Sequence, residues 1–516
     1  MAKTAAARYS QLERLRQPFL SRGRAAAKLT IPSLLPPEGH NGDATLPTPF
    51  QGIGARGLNN LASKLLLALF PPNSPIFRLL IDDFTIEEIT KQEGMKALVE
   101  EALGKVERAV MTEIEGAAIR VTAFEALKQL ILCGNVLLYL PPEGGMRAFR
   151  LDRFVVKRDP MGNVLEHITK ETVAPDTLSK EFVNKLGPNS RAKYANAMSA
   201  DKTLDLYTHV KLGKNGLWHV YQEVEGVKVP GTEGTYPRGK SAWIPLRFTK
   251  IDGEDYGRGH VEEYYGDLQS LEVLTKAIVE GSAAAAKILI LVNPNGTTNK
   301  RTIAEAPNGA VRSGNAQDVT FLQLDKYADF RIAKETMSEI TQRLAMAFLL
   351  NSAIQRPGER VTAEEIRYMA GELEDALGGV YSLLSQEFQL PLVSRIMFSL
   401  ERRKKLPSLP ERMVRPTITT GLEALGRGHD QMRLDNLLQR LAPLGPEAIV
   451  EYLNVGDYIK RTATAIGIEA TGLVRSEEEV LAARQQKMMQ SMGQQALPEV
   501  MGAVRDQLKP QAQPQG

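Results

Sequence analysis

Apolar residues recur every three or four positions through 57–70, 86–118 and 122–133, the spacing that lines one face of a helix. Between about 149 and 250 the period falls to two. Segments 204–210 and 217–229 alternate or run β-branched, and Gly213, Gly216, Gly231 and Gly234 mark turns around them. The pattern predicts a mainly α fold with a smaller β-rich part, an α+β chain. Residues 259–292 carry the longest helical pattern, with Tyr264, Leu268, Leu271, Leu274 and Ile278 along one face. Gly281 and the alanines at 283–286 keep its end thin enough for another helix to approach. At ~1.5 Å per residue, roughly 30 residues make a rod of ~45 Å. Asn293, Pro294, Asn295 and Gly296 then break it, strand-like 319–324 closes a compact segment, and a second helix over 331–350 heads back. A long helix, a small tip and a return helix outline a protruding stem.

The loop 351–361 follows, centred on Pro357 and Gly358. Thr362 and Glu365 fit a capping box, with the hydroxyl capping a helix start and the carboxylate reaching back. That helix runs towards Leu400, interrupted by Gly378, Gly379 and Pro391; 401–415 is a basic, proline-punctuated linker, and helices fill 422–490. The Gln- and Met-rich end is a poorly ordered tail by composition. At the other end, Lys3, Arg8, Arg14, Arg16, Arg22, Arg24 and Lys28 face a single acid, Glu13, over residues 1–30. They form either a phosphate-contacting arm or a solvated amphipathic helix. Prolines 32, 36, 37, 47 and 49 mark an irregular crossing.

Composition narrows the function classes. With 516 residues, the chain can bury a large core and divide into sub-domains. A net charge of only +3 argues against a broad, tight grip on nucleic acid, which needs a large basic excess, but not against a surface that DNA slides past. The single cysteine, Cys133, forbids an intrachain disulfide. The opening MAKTAAARYSQLERLRQ lacks a signal-type apolar stretch, and no apolar run reaches the ~20 residues that span a bilayer. These features predict a chain made in a cytoplasm, with no membrane partner.

Two motifs tempt. Residues 234–241, GTYPRGKS, match the phosphate-binding pattern G-x-x-x-x-G-K-[ST]. That chemistry needs a helix starting at Lys240-Ser241, whereas AWIPLRF follows, reading as a strand with Pro245 in it. Gly52, Gly54 and Gly57 match G-x-G-x-x-G, but the preceding LPTPFQ is no strand, so they serve as a flexible approach and cap for helix 57–70. The six histidines are scattered, and His260 with Glu263 reads as a pair on a surface helix. No catalytic residue, metal ligand or cofactor site emerges.

The strings TPFQGIGARGLNNLASKLLLALFP at 48–71, FEALKQLILCGNVLLYLP at 124–141, DGEDYGRGHVEEYYGDLQSLE at 252–272, FLLNSAIQRPGERVTAEEIRYMAGELEDALGGVYSLLSQE at 348–387 and PTITTGLEALGRG at 416–428 carry a likeness. In them the chain resembles the head-to-tail connector (portal) proteins of short-tailed podoviruses of the autographivirus group. The likeness is weak over 175–200 and the last ~50 residues. The resemblance implies a non-enzymatic ring, usually a dodecamer, at one capsid vertex of the virion, assembled in the host cytoplasm. It implies a wing over 1–258 with its β-rich insertion, a first stem helix over 259–292, a clip over 293–330 and a second stem helix over 331–350. A tunnel loop at 351–361, a wing helix and linker at 362–415, a helical crown at 416–490 and a tail at 491–516 complete it. Arg356, Gly358, Glu359 and Arg360 would then face the DNA channel, and Lys300 and Arg301 would serve docking at the clip. The implied partners are the ring's own copies, double-stranded DNA, a packaging ATPase (terminase), major capsid and scaffolding proteins, tail or adaptor proteins and internal core proteins. An NTPase built on GTYPRGKS and a tail or adaptor ring outside the portal are the alternatives.

Overall fold

The computed structural model describes residues 4–81, 95–285, 289–322 and 327–350 apart from 41, 43, 72–74 and 201. It further describes most of 371–407, the strand 414–418 and scattered positions from 437 to 480. The chain divides into two units, 1–80 with 107–423, and 81–106 with 424–516. The second contributes the opening turns of a helix that begins at Met95; the architecture below is that of the first.

Helix α1 (Ala5–Lys28) starts where the Thr4 hydroxyl accepts from the Ala7 N–H at 3.2 Å. Its buried Tyr9 and Leu12 pack on Val155, Ile168 and Tyr207 of the sheet. Arg8, Arg16, Arg22 and Arg24 of this stretch are held by protein partners, while Arg14 and Lys28 are exposed on the helix. Arg8 pairs with Glu166 at 2.7 Å and Arg22 with Glu262 at 3.0 Å. Arg16 is 2% exposed and donates to the carbonyls of Leu151 and Phe154 and to the Tyr9 hydroxyl, each within 3.0 Å. Burying a guanidinium is tolerable only with such partners, so this cation is structural.

Helix α2 (Ile53–Leu69) begins four residues before the expected start. Gly54 and Gly57 therefore lie inside it, which corrects their reading as a flexible approach. A side chain on Gly57 would sit 2.6 Å from the Phe348 ring, so the glycine permits close packing of another helix. Helices α3 (Met95–Gly116) and α4 (Ile119–Cys133) match their expected patterns where they are described. Gly134 ends α4 at φ +74°, a left-handed turn that glycine adopts without strain.

A three-stranded sheet follows, with β2 (Asn135–Tyr139) between β3 (Arg147–Phe149) and β10 (Trp243–Arg247). The six-stranded antiparallel sheet runs β4 (Phe154–Arg158), β5 (Val164–Val173), β6 (Leu204–Leu212), β7 (Leu217–Val224) and β8 (Val227–Lys228), with β9 (Gly234–Pro237) also on β7. All six lie in the stretch 149–250 where the period falls to two, and β6 and β7 fall on its segments 204–210 and 217–229. Two short helices, α5 (Lys180–Lys185) and α6 (Pro188–Ser199), interrupt it, and Phe182 packs there with Leu204 and Val224.

The expected helix over 259–292 is three pieces. A single turn, α7 (His260–Glu263), is followed by α8 (Tyr265–Ala285) and then by strand β11 (Leu289–Val292). Its β-branched and leucine residues favour a pleated partner once one is present. At ~1.5 Å per residue, α8 is a rod of about 31 Å, shorter than expected. His260 is not on a surface helix: it is 4% exposed, and its Nε2 lies 3.0 Å from the Ala347 carbonyl oxygen. Further on, α11 (Val380–Leu384) and α12 (Leu390–Arg402) join through a π-helical turn, Ser385–Gln389. Pro391 cannot donate to a carbonyl one turn back, and the wider turn accommodates it without ending the helix. The expected linker at 401–415 runs into strand β13 (Val414–Ile418), which pairs with β1 (Phe77–Ile81).

Candidate functional site: the tip between two antiparallel helices

Helix α10 (Tyr327–Ala347) returns alongside α8. Arg343, near its end, donates to Asp267, near the start of α8, at 2.9 Å, so the two run antiparallel. Between them, β11 pairs antiparallel with β12 (Val319–Leu322), from Leu289 opposite Leu322 to Val292 opposite Val319. The strand-like reading of 319–324 holds for its described residues.

Asp318 organises the tip. Its Oδ2 accepts from the Thr298 N–H and hydroxyl, both at 3.1 Å, and from the Thr297 hydroxyl at 3.3 Å. Its own carbonyl accepts from the Asn293 N–H at 2.8 Å. Burial disfavours the charged carboxylate, but the hydrogen bonds from Thr298 and Thr297 outweigh that and hold its pKa below the usual value. Gly296 leaves room for the carboxylate, since any side chain there would collide with it.

Lys300 and Arg301 open α9 (Lys300–Ala304), whose start is capped by Asn299. Both are exposed, and Arg301 pairs with Glu305 at 2.7 Å in an exposed i,i+4 contact. Val311 is 97% exposed on the same tip. The tip is thus a hub of hydrogen bonds presenting exposed charges and an exposed apolar residue outward.

At the base of the hairpin, α10 ends in a left-handed residue, Leu349 at φ 53°. The Asn60 side chain donates to the carbonyls of Phe348 and Leu349, both at 3.0 Å, and the Lys64 ammonium to Leu349 O at 3.0 Å. The Phe348 ring stands edge-on to His260 with centroids 5.4 Å apart. The departure point of the loop 351–361 is therefore clamped to α2. Arg356, Gly358, Glu359 and Arg360, with the Thr362–Glu365 capping box, lie outside the described residues. The sequence reading missed Asn60 and Lys64; their signal is two polar residues four apart within a buried leucine stripe.

The GTYPRGKS segment has the expected non-nucleotide geometry. β9 leads into a 3₁₀ turn, Arg238–Lys240, and β10 follows, so no helix end meets a phosphate. Cys133 is buried, and burial pushes its thiol up to about 12, far from a nucleophile at neutral pH. Among the described residues no cluster of three or more His, Cys, Asp and Glu side chains could hold a metal, and no helix is long and apolar enough to cross a membrane.

A family model described as bacteriophage head to tail connecting protein matches residues 2–474. The portal protein of Escherichia phage T7 is 45% identical over 510 residues, 98% of this chain and 93% of that one. That of Enterobacteria phage SP6 is 33% identical, covering 95% and 91%. Among solved structures, a chain of the neck of an empty GTA particle aligns over 81% of this chain and 90% of its own, at 10% identity and a TM-score of 0.37.

Proposed function

The chain belongs to the bacteriophage head-to-tail connecting protein family, whose members are structural connectors rather than enzymes, and from that premise we propose that it forms a ring at one capsid vertex through which DNA is packaged and ejected. The observation that carries this is the 45% identity to a portal protein across 98% of the chain. The antiparallel hairpin supports it. Val273, Val279 and Ile332 on its two helices are at least half exposed in the single chain, and neighbouring copies in a ring of twelve would cover them.

In this reading the tip serves as the clip. Lys300 and Arg301 meet the packaging ATPase during filling and the tail or adaptor proteins afterwards. The loop 351–361, launched from the Asn60–Lys64 clamp, narrows the channel and offers Arg356, Gly358, Glu359 and Arg360 to the DNA. The wing meets capsid and scaffolding proteins, and the crown meets internal core proteins. A passage must not hold what it passes: duplex DNA carries one charge per ~1.7 Å of axis, and a strongly basic wall would stall it. The near-neutral chain suits that demand.

Heads assembled with and without the chain test the proposal. With it, heads protect genome-length DNA from nuclease and acquire tails. DNA-filled, tailed heads formed in its absence would overturn it.

A further inference from the structure

We propose that the strands of the tip join from copy to copy, β12 of one pairing with β11 of the next, so that a single antiparallel sheet closes around the passage. It rests on the ring reading above and supplies the contact that closes the ring at its tip.

The hydrogen-bond pattern shows which backbone groups face outward. The Asn293 N–H donates to the Asp318 carbonyl at 2.8 Å, one half of a hydrogen-bonded pair. Such pairs alternate along an antiparallel ladder, so Leu291 with Thr320 and Leu289 with Leu322 bond inward. Ile290 and Val292 therefore turn their N–H and C=O groups to the outer side of β11, and Phe321 turns its own to the outer side of β12. Val319 presents its carbonyl there, since its N–H is taken by the Ala316 carbonyl of the preceding turn. Among the described residues no third strand meets either side.

Both edges are also unguarded. Edge strands in soluble proteins commonly carry a lysine, a proline, an inward-pointing charge or a bulge that discourages further pairing. The segments LILV and VTFL have none of these, and their register runs unbroken from Leu289 to Val292. Leu291 is 51% exposed. Shortness is the one safeguard left, and two short strands alone are only marginally stable in water. A third strand on either side would supply what the pair lacks.

The presence of two open edges selects a second copy as the occupant. A strand donated by another protein covers one edge and leaves the other bare. In a ring each copy has a neighbour on either side, through a head-to-tail contact that sets one surface against a different one. The outer edges of β11 and β12 are such a pair of surfaces. The step between twelve copies turns a strand by about 30°, which two strands absorb within the ordinary twist of a sheet. β12 of one copy therefore runs antiparallel to β11 of the next, as it does to its own. The dimensions also fit. Twelve copies give about 24 strands, which at ~4.8 Å each make a sheet about 115 Å round and 37 Å across. Inward side chains take ~5 Å on each side, half the spacing of packed sheets, leaving about 27 Å, and more where strands tilt. That opening admits a DNA duplex.

A spin label on Leu291→Cys tests the contact in assembled rings of the full-length chain; Cys133 is buried and out of the reagent's reach. In a continuous sheet, equivalent positions of neighbouring copies lie two strands apart, about 10 Å. The spectrum should show strong dipolar broadening, and the broadening should vanish in rings assembled with unlabelled subunits in excess. Val292→Pro removes one outward donor and leaves the inner ladder whole. It should abolish the broadening and raise at least tenfold the protein concentration at which half the rings dissociate. Val292→Thr keeps the N–H and should match the parent on both counts. Closed rings whose labels show no broadening would overturn this contact and leave the passage reading standing. So would Val292→Pro rings as broadened and as stable as the parent's. Unlabelled parent protein that forms no ring at all would overturn the passage reading, and the contact with it.

Discussion

Arg8 forks onto Glu166 across 158 residues, with Nη2 2.7 Å and Nε 3.0 Å from the same carboxylate oxygen, while His209 Nε2 stands 2.8 Å from the other oxygen. The first helix is thereby locked to the six-stranded sheet. Glu223 reinforces the lock by accepting the Ala5 and Ala6 N–H groups at 2.9 and 3.2 Å. Replacing Glu166 with Gln leaves Arg8 and His209 without their shared carboxylate and should cost about 2–3 kcal/mol. Arg8→Ala, on the more exposed side of the pair, should cost about 1–2 kcal/mol. Denaturant midpoints of the three proteins check the order.

The same sheet carries an acid sensitivity. His167 is 1% exposed between Trp218 and Trp243, and its ring nitrogens meet no protein partner. Burial, with His209 and Arg158 nearby, pushes its pKa down from 6.5 to about 3. The unfolded chain binds that proton first, so stability is full above about pH 6.5 and falls as pH drops towards 3. By pH 5 the loss is about 2 kcal/mol, at ~1.4 kcal/mol per pH unit. Glu166 resists burial, which alone would raise its pKa, through His209 and Arg8, and is held at about 2. Its contribution is present above about pH 4.5 and is lost only below that. His167→Phe should flatten the stability profile between pH 6.5 and 4.5 and leave the lower limb. An unchanged upper limb would show that another group titrates there.

At the tip, hub and surface should separate under mutation. Charge reversal of Lys300 and Arg301 removes one exposed ion pair and should change melting by less than about 1 kcal/mol. Motor-dependent packaging should fall nonetheless. Asp318→Ala strips three hydrogen bonds from Thr297 and Thr298 and should open the tip itself, read as protease cleavage between 293 and 322. Normal packaging by the reversed variant would remove Lys300 and Arg301 from the docking surface.

For the loop 351–361, neutralising Arg356 and Arg360 together should leave rings intact and change the amount of nuclease-protected DNA that heads retain. Failed rings would instead make these charges contacts between subunits. Rings and DNA content both as in the parent protein would defeat either role.

Much of this was legible in the sequence, because amphipathic spacing reports which face of an element is covered. The helices at 53–69 and 119–133, the strands β6 and β7, and the helix–tip–helix outline all follow from it. Spacing does not report what does the covering. That is why α1 looked like a solvated or DNA-seeking helix until Glu166 and Glu223 supplied its partners. Tyr264, where the helix breaks, has its ring centroid 6.1 Å from that of Phe348, and the strand after α8 pairs with β12, both dozens of residues away. His260 looked exposed because its neighbour Glu263 is, while its ring is enclosed by Phe248, Tyr264 and Phe348. The strand pair β1–β13 joins segments more than 330 residues apart, beyond any local pattern.

The central claim is that copies of this chain close around a passage, and electron microscopy of the purified protein addresses it most directly. The account predicts closed rings with an axial channel wide enough for a DNA duplex. Folded protein that remains monomeric, or that forms assemblies without a channel, would contradict it.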